Sequence, residues 1–454
     1  MAFQDLLKNL PEVESPKEKR LSFNVKLKWT LIILVSFFVL ANIPLYGLAA
    51  NALQRFEYLA IILGTDFGSI ISLGIGPIVM ASIILQLLVG SKIVDIDTST
   101  EEGKKFFSGL QKLMVFFFII FEAMVYVLMK GLQAVSGLAW LVVFQLILGG
   151  LMIFFMDEVC QKWGFGSGVS LFIAAGVGWR LFTAAFQFLG SEGTIQYSGK
   201  IPVLIMSIIA ADSIGALKAL AAILATIILF LIVVWSQSLK VEVPLSFDRL
   251  RGYGIKWPLS FFYASVIPVI LTAALVANLQ LFGGLLQNWL GRATFLGNFV
   301  QGQAVSGLAF WLGSTNLVEA GISGSLRSVY LLQGVTHILF YIIFATIFSI
   351  FWVKTSGMDA QSQAHNILSS GLQIPGFRKD ERVLESVLSR YIMPLTVMGG
   401  AAIGLLAAAA NLLGTLTSGT ALLLGIMIMF QFYQNIAQQH AVDMHPAMKK
   451  FISG

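Results

Sequence analysis

Between Lys218 and Lys240 the chain reads "ALAAILATIILFLIVVWSQSL", a stretch without a single charged residue. A run of about 20 apolar residues matches the ~30 Å hydrocarbon core of a bilayer when coiled as a helix. Lipid offers no partners for peptide N–H and C=O groups, so a spanning segment must satisfy them internally, as a helix does. Comparable runs recur near residues 28–49, 72–91, 110–129, 138–157, 168–189, 259–282, 332–353, 391–412 and 420–437. With the run near 218–237 they predict an all-α integral membrane protein of ten transmembrane helices. Composition agrees, because Asp, Glu, Lys and Arg make up only 11% of the chain, against about a quarter in soluble domains.

Ten spans put both termini on one side. The polar start "MAFQDLLKNLPEVESPKEKR" lacks a cleavable signal pattern, so the first span is expected to remain. With that start cytoplasmic, only Arg55, Lys130, Arg180, Lys200, Lys218, Arg292 and Arg327 of the 29 basic residues fall outside the cytoplasmic segments, in keeping with the positive-inside rule. The chain divides into a cytoplasmic segment 1–27, a half of five spans over 28–189, a polar external hinge 190–217, a second half over 218–437 and a cytoplasmic tail 438–454. Five is odd, so the second half runs inverted relative to the first. Inverted repeats place a pathway at their interface, marked by interrupted helices in matching positions. Gly74, Gly76 and Pro77 interrupt the second span of one half, and Pro268 the second span of the other.

Catalytic chemistry is hard to build from this chain. Only His337 of the four histidines lies in a span, Cys160 is the sole cysteine, and Asp66 and Asp157 sit at span edges. Neither a metal centre nor a membrane protease follows, and "GFGS" at 164–167 has no lysine to hold a phosphate. No enzyme and no cofactor is expected. Glu122 lies near the middle of the third span, where a carboxyl is either a neutral packing group or part of a polar joint that opens. An inverted-repeat transporter of small solutes is the alternative function, but it needs a midplane polar site and the chain offers only Glu122 and Asn278. The long basic loops 236–257 and 354–391 read as solvated connectors or as docking surfaces for an anionic partner.

The segments "LGIGPIVMASIILQLLVGS", "EVCQKWGFGSGVSLFIAAGV", "VIPVILTAALVANLQ" and "IPGFRKDERV" resemble, in order, signature segments of the SecY family, the large subunit of the protein-translocation channel, in its archaeal type. The resemblance implies a SecY-like clamshell of two inverted pseudo-symmetric halves. It implies a channel that passes unfolded secretory polypeptides and releases transmembrane segments sideways into lipid. Carried over motif by motif, an aliphatic pore ring falls on Ile75, Val79, Val169, Ile173, Ile270 and Leu424. Such a gasket resists wetting and offers a passing peptide no sticky group. A plug falls on residues 54–69, with Leu59, Ile61, Ile62 and Leu63 facing the ring; by composition alone the stretch also reads as an interfacial amphipathic helix. A lateral gate falls on Met80, Glu122 and Asn278, where Met80 departs from the hydroxyl the family often has. Docking of a ribosome or other cytoplasmic partner falls on Arg249, Arg251, Arg378, Lys379 and Arg382. Further implied partners are SecE-type and Sec beta-type small subunits, signal peptides, nascent chains and lipid, with no specific nucleic-acid sequence. The implied location is the cell membrane, with both termini cytoplasmic.

Overall fold

A computed structural model describes residues 10–18, 21–51, 65–91, 93–94, 96, 100–188, 197–247, 254–264, 266–300, 303–369, 372–373 and 380–440. The first half holds α1 (Phe23–Ala41), α2 (Gly76–Gly90), α3 (Glu101–Leu128), α4 (Ala139–Trp163) and α5 (Gly168–Phe186). A short α6 (Lys200–Ile209) leads to the second half, α7 (Ser213–Gln237) and α8 (Ile267–Leu290), short α9 (Leu308–Leu312) and α10 (Leu317–Ile322), then α11 (Ser328–Thr355), short α12 (Ala360–Ser369), α13 (Glu381–Leu413) and α14 (Gly419–His440). Among the described residues nine helices are long and apolar enough to cross a membrane, and α2 is a shorter apolar helix.

Local chemistry explains where the helices depart from the apolar runs. The first run reaches residue 49, but α1 stops at Ala41: Pro44 cannot donate to a helix, and Gly47 takes a left-handed turn at φ 84°. The second run begins at 72, but α2 begins at Gly76, with Pro77 in its first turn, where a missing N–H is harmless. Its 15 residues reach only about 22 Å. The missing depth comes from turns over 65–75, and non-helical backbone is tolerated at that depth only under protein cover. Ile71, Ser72, Leu73 and Ile75 are fully buried, while Thr65 Oγ1 donates to Ile71 O at 2.5 Å and Gly68 N to Ser72 Oγ at 2.8 Å. In the second half α8 starts at Ile267 rather than 259, because residues up to Ser260 belong to a strand and Pro268 opens the helix. The hinge stretch holds α6, an apolar helix without one buried residue and, at roughly 15 Å, too short to span.

Short strands occupy the connections, a feature outside the all-α expectation. On one face β1 (Leu48–Asn51) pairs antiparallel with β2 (Leu132–Ala134). On the opposite face β3 (Lys240–Phe247), β4 (Gly254–Ser260) and β7 (Leu372–Gln373) form a sheet of order β4-β3-β7, with Ser246 opposite Gln373. A hairpin of β5 (Asn298–Val300) and β6 (Gln303–Ser306) precedes α9. The connections thus alternate between faces as ten crossings in two inverted halves require.

Small residues set the helix spacing. A Cβ on Gly149 of α4 would lie 1.9 Å from the carbonyl oxygen of Ile70, and one on Gly404 of α13 would lie 2.5 Å from that of Tyr341 on α11. Helices in lipid gain association from such close packing.

Candidate pore, gate and docking face

Proline and glycine place the candidate ring at helix starts. Ile75 immediately precedes α2, and Val79 follows one turn later; Ile270 lies just after Pro268 at the start of α8. Val169 and Ile173 occupy the first turns of α5, whose start is fastened by the Asp157 carboxylate accepting from Val169 N at 2.9 Å. Leu424 lies near the start of α14. Ile75, Val79, Ile173, Ile270 and Leu424 are buried in one apolar cluster, and half-buried Val169 packs against it. The cluster joins the halves: α2 meets α8, α5 meets α14, and α8 meets α14. Val177, a turn beyond Ile173, is a residue the motifs do not single out. A Cβ on Gly425 would come within 2.8 Å of its Cγ1, so Val177 packs closely against Gly425, the residue after Leu424. The i, i+4 series Val169, Ile173, Val177 was the signal for it.

Glu122 is fully buried on α3, and neither carboxyl oxygen has a hydrogen-bond partner among the described residues. It points at the start of α2, with Oε2 3.0 Å from where a Cβ on Gly76 would stand. Asn278 on α8 donates to Ala274 O at 2.9 Å, and its own Oδ1 has no partner among the described residues. Met80 is half-buried. No hydrogen bond joins the three; Glu122 instead abuts the glycine that opens α2.

The plug residues Leu59, Ile61, Ile62 and Leu63 lie outside the described residues. The described flanks are tied together: Asn51 Nδ2 donates to Phe67 O at 2.8 Å and Leu45 N to Gly68 O at 2.9 Å. Of the docking residues, Arg249, Arg251, Arg378 and Lys379 also lie outside the described residues. Arg382 is exposed in the first turn of α13, its N–H bonded to the Asp380 cap at 3.0 Å. The two long loops share one body, made by the β4-β3-β7 sheet and a second apolar core that includes Val243, Leu259, Ala364, Leu384 and Leu388. Tyr263 in this body donates to Met358 O at 2.7 Å, and burial pushes its hydroxyl above the usual range.

On the same face as that sheet an extended N-terminal strap crosses α3 and α4. Val13 N donates to Glu158 at 2.8 Å, its carbonyl accepts from Lys162, and Glu14 O accepts from the Trp163 indole at 3.0 Å. Lys112 bridges Glu12 and Glu158, each at 2.6 Å. The hydrogen bond from Lys112 holds the Glu12 carboxyl below its ordinary value. On the opposite face a cavity of about 500 Å³ opens between α8, α9, α11, α13 and α14, carpeted by uncharged polar groups such as Gln280, Gln333, His337 and Asn411. No group of metal-ligating side chains occurs among the described residues.

The family model described as SecY matches residues 69–433. The chain belongs to the SecY family. It is 43% identical to the protein translocase subunit SecY of Methanothermobacter thermautotrophicus, over 99% of this chain and 98% of that one. Its fold matches "The structure of a protein conducting channel" with a TM-score of 0.83 and 39% identity, covering 97% of this chain and 98% of that one. It also matches "Sec61 in the Canine ribosome-channel complex from the endoplasmic reticulum" with a TM-score of 0.80 and 38% identity, at the same coverage. The chain is therefore a multi-pass membrane subunit of a protein-conducting translocation channel. Its family is one of channels rather than of known enzymes.

Proposed function

We propose that polypeptide passes through a ring made by Ile75, Val79, Val169, Ile173, Ile270 and Leu424, and that the ring closes the resting channel. One observation carries this reading: five of the six side chains are buried in the one apolar core that joins the halves and Val169 packs against it, where α2 meets α8, α5 meets α14 and α8 meets α14. Apolar walls that narrow below the width of a few waters dewet and block ions, yet they bind no passing side chain. Residues 54–69 act as the plug, and Met80, Glu122 and Asn278 lie where α2, α3 and α8 separate to admit lipid. An apolar segment in that opening gains a few tenths of a kcal/mol per Leu or Ile from lipid, and a charge loses about 2.5–3.5 kcal/mol.

The face bearing β3, β4, α12 and the strap is cytoplasmic, the side that the distribution of basic residues favours, in a cell membrane. Residues 28–189 and 218–437 move as the two halves about the 190–217 hinge. Arg249, Arg251, Arg378, Lys379 and Arg382 dock a ribosome or another cytoplasmic partner, in line with the ribosome complex of the canine relative. SecE-type and Sec beta-type subunits and lipid cover apolar side chains exposed on α1 and α7, among them Val35, Val39, Ile227 and Leu231. The deciding experiment is photocrosslinking of a stalled, signal-bearing nascent chain to probes at Ile75 and Ile270. Crosslinks at both positions are expected; their absence, with crosslinks at lipid-facing Val35, would overturn the pore assignment.

A further inference from the structure

His337 on α11 is buried, yet it lines the 500 Å³ cavity, whose rim includes exposed Gln303 and Ser314. Its hydrogen bonds leave one protonation state open. Nδ1 lies 2.7 Å from Leu312 O of α9; a carbonyl only accepts, so Nδ1 carries the proton. Nε2 lies 3.2 Å from Asn411 Nδ2 of α13. The Asn411 amide is oriented by Thr420 of α14, whose backbone N–H donates to Asn411 Oδ1 at 2.8 Å. Asn411 Nδ2 is therefore the donor, to Thr420 Oγ1 at 2.6 Å and to the ring. Nε2 must accept, and the imidazole must be neutral. A second proton would set an N–H against an NH2 group and break the link.

This relay runs from α9 through α11 and α13 into the first turn of α14. Thr420 stands one helical turn before Leu424, and α14 begins pressed against α13, with a Cβ on Gly419 only 2.1 Å from the carbonyl carbon of Ala410. Among the described residues Tyr341 is the one other titratable group facing the imidazole, its ring centroid 4.6 Å away and its hydroxyl on Thr420 and Asn411. The described lining from α8, α9, α13 and the turn before α14 supplies Gln280, backbone, Asn411 and Ser418, with no Asp, Glu, Lys or Arg. No carboxylate is therefore at hand to offset an imidazolium.

We propose that His337 is a positioning residue for the pore helix α14: neutral and protonated on Nδ1, it steadies the Asn411 amide that holds Thr420 at the start of α14, and proton uptake through the cavity turns that amide away and releases Leu424 from its closed position. The inference rests on the reading of Leu424 as a ring residue. It makes the resting seal sensitive to acid on the cavity side alone.

The test uses the full chain reconstituted in lipid vesicles. Lowering the pH on the cavity side from about 7.5 to about 4, past the pH at which an unperturbed histidine is already protonated, should raise ion leak about tenfold, a shift of ~1.4 kcal/mol. His337→Gln should be as tight as the wild type at neutral pH and flat with acid, because its amide donates to Leu312 and accepts from Asn411 without titrating. An acid-induced rise preserved in His337→Gln, or a flat wild type, would overturn the proposal. Nitrogen-15 NMR of the wild type needs no variant to fold: a neutral ring protonated on Nδ1 is expected, and one protonated on Nε2 would overturn the relay. Ile75→Asn separates the two readings, since leak in that variant beside a flat wild-type pH profile rejects the His337 clamp and keeps the ring. No leak in Ile75→Asn and none in Ile270→Asn rejects the ring itself.

Discussion

Ile75 lies two residues before the proline that opens α2 and Ile270 two residues after the one that opens α8, and each is buried in the same apolar cluster. An asparagine at either position would put an amide where no partner exists, costing about 1–3 kcal/mol in the closed state. A bias of that size raises the open population about 5- to 150-fold. Ile75→Asn and Ile270→Asn should accordingly raise ion conductance of resting channels in planar bilayers, and silence in both would remove the ring. Glu122 was legible in the sequence as a charge within a span. Its contact with Gly76 was not, because nothing in the order of residues says that α3 presents that carboxyl to the start of α2.

Helices here are positioned by contacts that cross long stretches of chain. Ala ordinarily stabilises a helix interior relative to Gly by about 0.5–1 kcal/mol. At Gly149 the sign should reverse, because the added methyl would meet the backbone oxygen of Ile70 at 1.9 Å, and overpacking of this kind costs about 1–3 kcal/mol. Gly149→Ala should lower the thermal midpoint in detergent, and an unchanged or higher midpoint would refute the close approach. The strap makes a second prediction. Val13 and Glu158 are 145 positions apart, yet bonded. Glu12 has its carboxyl lowered by Lys112, so its share of strap docking is complete above the ordinary value of 4.5 and is lost as pH falls through the lowered folded value. Hydrogen-exchange protection of the Val13 amide should be level at neutral pH and fall in acid. Glu12→Gln should reduce it at pH 7 by no more than about fivefold, since exposed ion pairs contribute about 0–1 kcal/mol. Protection identical in Glu12→Gln and wild type at every pH would exclude the ion pair as a latch.

The whole molecule is two inverted halves joined on a shared apolar core, with a polar cavity on one face and a folded body made by the two long loops on the other. The flanks of residues 52–64 are tied together by the Asn51 and Leu45 bonds on the cavity side. Deleting residues 57–65 should therefore raise resting permeability and leave translocation working, because the ring remains to close the channel. Ile62→Cys, with Cys160 replaced, should be shielded from an impermeant thiol reagent at rest and react once a secretory chain is engaged. Equal labelling in the two states would exclude the plug.

Ten apolar runs determined by themselves that the chain crosses a membrane ten times in two halves, since bilayer thickness and the need to satisfy every peptide group leave no other use for such segments. Four motifs carried the family, and all the proposed ring positions except Leu424 lie within them. Only the tertiary structure decided how short α2 reaches depth, through buried turns that no hydropathy run distinguishes from helix. It alone joined the two basic loops into one body, because pairing of Ser246 with Gln373 depends on where α11 and α13 bring the second loop back. It likewise joined His337, Asn411 and Thr420, three polar side chains unremarkable in the sequence, since a relay exists only where helices bring donor and acceptor within about 3 Å of each other.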